Sequence, residues 1–277
     1  MSDKLTRRRV LAGGATALLA SVAGCSGATP FVGKRTERTE TIAVDGASSL
    51  AVRTDLGDVS IQTADRDDID VRIVKQASSV TADLSDLSFR VDRAGEELLL
   101  SSEFTGDTEF FGGQPSMSLD VTLPESLQVS SIRSRVGDVT AEGVAGDLDA
   151  ETDTGDLRLR GVSGAVRATA SVGDVVVERP DAIERVTART GDVTVDVPTV
   201  DADTTISSRT GDVSAAVTPE ADADLTARTD TGDVSVDGLP LSDSTRTDEL
   251  VTGTLGSGGP SLDIETRTGD VSVSPLN

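Results

Sequence analysis

The chain has 277 residues and a formal net charge of −23, with 48 Asp and Glu against 25 Lys and Arg. It holds no His, Trp or Tyr, five Phe and one Cys, which excludes an intramolecular disulfide and any histidine-based chemistry, and leaves Phe as the sole aromatic type. The acidic balance also argues against a nucleic-acid partner, which needs a basic face.

Lysine occurs only at Lys4, Lys34 and Lys75, and the other cations are Arg. An Asp-rich, Lys-poor composition of this kind resembles that of proteins from extreme halophiles, notably haloarchaea. It predicts solubility in molar salt, where ions screen self-repulsion; loss of β-structure is expected below about 0.5 M salt, where the stacked Asp residues of the repeats are less screened. Regular alternation along most of the chain argues against disorder.

Residues 1–24 read as a twin-arginine signal peptide with a lipobox and are set aside from fold reasoning. Thr6-Arg7-Arg8-Arg9-Val10-Leu11 carries the export motif, centred on Arg7 and Arg8. The apolar stretch 10–23 is too short and too rich in Gly and Ala for a membrane span. Val22-Ala23-Gly24-Cys25 resembles a lipobox, which makes Cys25 the lipid attachment site. The expected address is the outer face of the cytoplasmic membrane, held through a lipid on Cys25. Residues 25–39 carry Gly, Pro, Thr and charges, and read as a flexible tether.

Residues 40–132 form a less regular β region that begins the stack. Candidate strands lie at 40–44, 50–54, 59–63, 69–75, 87–91, 97–102, 117–123 and 127–132, separated by turn signals such as Asp45-Gly46 and Arg93-Ala94-Gly95. The segment from Phe104 to Pro115 is Gly-rich and carries three of the five Phe. It reads as a hairpin tip capping an open end, with a contact loop as the other reading.

Residues 133–277 are organised by a recurring Gly-Asp-Val, once Gly-Asp-Leu. Copies begin at Gly137, Gly155, Gly173, Gly191, Gly211, Gly232 and Gly269, with an early one at Gly57; the spacing is 18 residues from Gly137 to Gly191, then 20, 21 and 37. Side chains alternate after each motif: Val193, Val195 and Val197 against Thr194 and Asp196. A second strand precedes each motif, so one unit is strand, corner, strand, corner. A weaker corner, Gly146-Asp147-Leu148, lies half a period before Gly155. The fold class expected is all-β: a β-solenoid of roughly 18-residue coils, stacked in parallel about 4.8 Å apart. An antiparallel meander of hairpins also fits Gly-Asp turns, but it would bare an apolar face that no amphipathic helix covers.

Stacking predicts a column of like charges: Asp138, Asp156, Asp174, Asp192, Asp212 and Asp233. Four things can relieve it: pairing with Arg135, Arg189, Arg209 and Arg267, local backbone bonding by each Asp, salt, or bound Ca²⁺. Turn chemistry, Arg pairing and salt are preferred, and no metal or cofactor is assigned. The interval between Gly232 and Gly269 is two units long and reads as one unit that has lost its Gly-Asp, with 237–247 as a surface loop.

These motifs resemble a known family of β-strand-repeat proteins called putative adhesins, which includes LiaG-like bacterial envelope proteins. The match is carried by Leu50-Ala51-Val52-Arg53-Thr54 leading to Gly57-Asp58-Val59, by the Gly-Asp-Val run, and by Gly253-Thr254-Leu255-Gly256 with Leu262-Asp263-Ile264-Glu265-Thr266 before Gly269. The resemblance covers about 40–277. It implies a β-solenoid-like domain, exported or membrane-attached, without catalytic residues. The functional expectation is a non-catalytic, lipid-anchored surface protein whose partners are the membrane and envelope glycans or proteins. The alternative is an accessory of envelope-stress signalling, and a polysaccharide-acting β-helix enzyme ranks third. Repeated carboxylates are explained by repetition rather than by an acid–base pair.

Overall fold

The computed structural model describes residues 33–79, 82–106 and 115–276. Cys25, Arg7, Arg8 and Phe110 and Phe111 of the Gly-rich segment lie outside them. In chain order the strands are β1 (Lys34–Ala43), β2 (Ser49–Leu56), β3 (Val59–Ala64), β4 (Asp68–Ala77), β5 (Leu87–Ala94), β6 (Glu97–Phe104), β7 (Ser116–Pro124) and β8 (Gln128–Val136). There follow β9 (Val139–Glu142), β10 (Leu148–Thr154), β11 (Leu157–Arg160), β12 (Ala165–Val172), β13 (Val175–Glu178), β14 (Ala182–Thr190), β15 (Val193–Val197), β16 (Thr204–Thr210) and β17 (Val213–Val217). The last are β18 (Ala223–Thr231), β19 (Val234–Val236), β20 (Ser242–Arg246), β21 (Leu250–Leu255), β22 (Ser261–Thr268) and β23 (Val271–Pro275).

These strands form two facing sheets, one of 11 strands and one of 12. Each Gly-Asp of the main series, from Gly57 to Gly269, carries the chain from the second sheet to the first, and Gly146-Asp147 carries it back. Within each sheet successive units pair in parallel and in register: Leu157 lies beside Val139 on one side and Val175 on the other. Eighteen residues therefore make one full coil, and the fold is the solenoid rather than the meander. A hairpin meander would have paired β10 with β11, whereas they face each other across the core.

The core is the slot between the sheets. Val166, Ala168 and Ala170 of β12 point into it, as do Val175 and Val177 of β13. Burying one such Val stabilises by roughly 1.5–3 kcal/mol, less than the cost of ordering a lone coil. Stacking lets neighbouring coils share the burial. The slot holds larger side chains at the other end, where Ile61, Ile69, Ile73, Leu98, Leu100, Met117 and Leu119 are buried. This end also departs from the simple coil, since β4 and β5 pair antiparallel with their neighbours, and 40–132 lacks the strict period.

Two features depart from the reading above. β1 begins at Lys34 and pairs antiparallel with β4 along its length, so the last residues of the expected tether are strand. Its composition, Lys-Arg-Thr-Glu-Arg-Thr-Glu, suits a charged, exposed edge that resists pairing with other chains. The second departure is the order of the stack. β22 lies between β16 and β18, and β23 between β17 and β19. The coil at 261–275 is inserted between two earlier coils, and the segment 238–259 is no degraded unit. It builds the hairpin β20–β21, with β21 antiparallel to β18. This hairpin closes the end of the second sheet, while Asp248 O accepts from Val234 N at 2.7 Å on the edge of β19. The opposite end is closed by β5, antiparallel to β6, and by β1 and β4. The segment 104–115 joins β6 to β7 at a position where other coils carry Gly-Asp; Phe104 packs against the core and 107–114 lie outside the described residues.

Candidate functional site

The repeated motif has first claim as a site, and its geometry shows what each residue does. Gly191 has φ near 143°, open to glycine and strained for other residues. A Cβ there would also run into the Gly173 carbonyl of the coil below. In this conformation the glycine carbonyl meets side chains from within the slot: Ser208 Oγ donates to Gly191 O at 2.9 Å, Thr266 Oγ1 to Gly211 O at 2.8 Å and Thr229 Oγ1 to Gly269 O at 2.9 Å. The carbonyl is then lost to the ladder, and the next coil's Asp N–H needs another acceptor. The Asp side chain supplies it. Asp174 N donates to Asp156 Oδ1 at 3.0 Å, Asp192 N to Asp174 Oδ1 at 2.8 Å and Asp212 N to Asp192 Oδ1 at 2.8 Å. The column then passes through the inserted coil, Asp270 N to Asp212 Oδ1 at 2.8 Å and Asp233 N to Asp270 Oδ1 at 2.9 Å. At the other end Asp138 N donates to Asp58 Oδ1 at 3.1 Å, and Asp58 N to Ser118 Oγ at 3.3 Å.

The carboxylates are therefore a structural ladder. Apart from Asp233, which ends the column, each accepts from backbone, as sequence reasoning expected, but from the backbone of the neighbouring coil rather than its own turn. A hydrogen bond to an ionised acceptor contributes about 1.5–3 kcal/mol, against roughly 0.9 kcal/mol of repulsion per neighbour in water at ~4.8 Å. The bond offsets the repulsion at the dielectric of water, and salt screening offsets the several-fold larger repulsion near a protein surface. Among the described residues no group of three or more His, Cys, Asp or Glu is placed to hold a metal ion.

The arginines expected to neutralise the column do something else. Arg135 faces Asp55 at 3.7 Å and Arg267 faces Asp230 at 3.8 Å. Arg189 and Arg209 have no ion-pair or hydrogen-bond partner among the described residues. Of the arginines, Arg158 reaches the column, at Asp156, 2.8 Å away.

These arginines sit on the outer face of the second sheet. One row there runs in register through Arg133, Glu151, Thr169, Thr187, Ser207, Glu265 and Arg228. Two residues further along each strand comes a second row: Arg135, Asp153, Ser171, Arg189, Arg209, Arg267 and Asp230. The early part of this face is self-neutralised, with Arg133 bonded to Asp149 at 2.9 Å and Glu151 at 3.3 Å. Across β14 and β16 it is not, since Arg189 and Arg209 have no counter-ion among the described residues. There Thr187, Arg189, Ser207, Arg209, Arg228 and Arg267 help to line an open groove of about 310 Å³. Arg228 is held by Glu265 at 3.1 Å. Sequence reasoning named Arg189 and Arg209 for the wrong task; their spacing in the motif was visible, but the outward direction and the lack of a counter-ion were not.

Carboxylates with displaced titration lie elsewhere. The Arg66 guanidinium, with the Thr41 hydroxyl, holds Asp70 below the usual carboxylate range. Hydrogen bonding from Arg72 does the same for Glu37, and Arg72 also binds Asp120 at 2.8 Å. Both belong to ion pairs on the strands that close one end.

The parallel coils, the Gly-Asp corners and the hairpin-closed ends define a β-strand-repeat domain. Residues 115–274 match the family described as Toastrack DUF4097, which is more than half of the chain, and the chain belongs to that family. No curated protein compared with it matches. Solved structures similar to it include a putative cell adhesion protein from Clostridium sporogenes ATCC 15579, at 10% identity and TM-score 0.36, covering 88% of this chain and 100% of that one. A putative adhesin from Bacteroides fragilis NCTC 9343 shows 12% identity and TM-score 0.35, over 87% and 97% of the two chains. A putative lipid binding protein from Parabacteroides distasonis ATCC 8503 shows 11% identity and TM-score 0.40, over 88% and 97%.

Proposed function

We propose that this chain is a non-catalytic, lipid-anchored surface module, exported by the twin-arginine route and held through Cys25, which presents the outer face of its second sheet to envelope components. The observation that carries this reading is the division of labour among charges. The repeated carboxylates are occupied by backbone amides, while Arg189 and Arg209 face outward without partners among the described residues. Such a site binds by charge and hydrogen bonds on a preformed, rigid surface, which limits the ordering cost of association. The Arg7-Arg8 motif and the lipobox ending at Cys25 support the address.

Cell fractionation and a deletion strain test this reading. Wild-type protein should sediment with membranes, Cys25→Ser should appear in the medium, and the double variant Arg7→Lys, Arg8→Lys should stay in the cytoplasm. A deletion strain should lose attachment to its native surface. Membrane retention of Cys25→Ser would remove the lipid anchor from the proposal, and a deletion that alters only the envelope-stress response would replace adhesion by signalling.

A further inference from the structure

We infer that the groove across β12, β14, β16 and β22 binds an acidic polysaccharide, one carrying carboxylate or sulfate groups along its length, laid across the strands in the stacking direction. This deepens the proposed surface role and rests on it. Three observations meet in the groove. Arg189 and Arg209 occupy equivalent positions on paired strands, next to the partners Thr190 and Thr210. Their Cα atoms are held about 4.8 Å apart, so two like charges repel, and the carboxylates that also line the groove, Glu265 and Asp230, are engaged by Arg228 and Arg267 instead. On neighbouring coils outward arginines are met by carboxylates, as Arg133 is by Glu151 and Arg160 by Glu178. In the groove Arg189 and Arg209 lie side by side in one row without such a carboxylate among the described residues.

The second observation is the row beside the cations. Thr187 and Ser207 line the groove, with Ser207 Oγ donating to Thr187 Oγ1 at 3.4 Å. Hydroxyls and guanidinium groups together match a sugar ring bearing an anionic substituent, because guanidinium engages carboxylate or sulfate through paired N–H donors. The third is repetition. The coil spacing is close to the length of one sugar ring in a polymer, so successive coils can each meet an anionic group of one chain. A single small anion would use one rung and leave the next unmatched. The chain has no Trp or Tyr, so it lacks those stacking platforms for neutral sugars, and charge must supply the selectivity. The surrounding net charge of −23 repels polyanions in general, which makes capture depend on this groove and fall with added salt.

The test uses the full chain with polygalacturonate, dextran sulfate and uncharged dextran as probes, measured by titration calorimetry across a salt series. The key variant is Arg189→Gln with Arg209→Gln. Its control is Arg158→Gln with Arg160→Gln, which removes the same charge from the outer face of the first sheet. Circular dichroism confirms that both fold. Binding of at least one polyanion is expected, with none of dextran. The groove variant should lose affinity by about tenfold or more and lower the log–log salt slope by about two, while the control changes affinity less than about twofold. Equal losses in the two variants, equal binding of dextran, or no binding of either polyanion would overturn the inference. If attachment of whole cells survives in the groove variant, the surface role stands and the polysaccharide site falls.

Discussion

Replacing Asp192 by Asn separates the two opposing forces in the carboxylate column. Asp192 accepts from Asp212 N at 2.8 Å, and its own N–H donates to Asp174 at 2.8 Å. Its carboxylate has charged neighbours in the coils on both sides. At ~4.8 Å these repel it by about 1.7 kcal/mol in total in bulk water. Asn keeps the acceptor oxygen but weakens the bond by about 1 kcal/mol, the difference between an ionised and a neutral acceptor. In dilute buffer Asp192→Asn should therefore be more stable than wild type by about 0.7 kcal/mol. In 1 M salt the screening length is about 3 Å and the repulsion falls to about 0.3 kcal/mol, so the variant should be less stable by roughly 0.7 kcal/mol. Asp192→Ala, which lacks the acceptor, should fall below Asn by about 1 kcal/mol at both salt concentrations. Urea midpoints at unchanged slope measure all three proteins. A shift of one sign at both salt concentrations, or equal stability of Asn and Ala, would refute the ladder as drawn.

Gly191→Ala should cost at least about 3 kcal/mol, since the added Cβ meets backbone and φ is positive; urea unfolding checks this. Thr266→Val removes the donor to Gly211 O and should cost about 1–2 kcal/mol, whereas Ala188→Ser, at the equivalent place facing Gly173 O, should gain about 0.5–1 kcal/mol by thermal melting. Asp70 has its folded pKa lowered by Arg66 and Thr41, so its contribution is fully present above the ordinary carboxylate value near 4 and is lost as pH falls through the lowered one. Asp70→Asn should flatten the stability-versus-pH curve on that acid limb.

The period of 18 residues and the alternation of Val193, Val195 and Val197 made the solenoid legible, because parallel stacking converts spacing directly into register. The pairing of β1 with β4 was not legible, since a charged edge strand has no apolar alternation to mark it. Nor was the place of 261–275 in the stack: its motif repeats the others, and identical corners fit beside any coil. Asp was recognised as a corner residue, yet its partner lies 18 residues away at the next rung, beyond any local turn rule. The groove depended on absent partners for Arg189 and Arg209, which only the outward face reveals.

The inserted position of 261–275 has a further consequence. Removing that segment would not shorten the array by one unit; it would leave β16 and β18 facing an empty lane, with the closing hairpin detached from the rest. The segment acts as a keystone, and the closed end is secure only once it has been threaded into place. Lengthening this protein by copying units is correspondingly restricted. New coils fit among those between β8 and β17, where chain order and spatial order agree, and not beside the keystone, where a duplicate would have to displace a strand already paired on both sides.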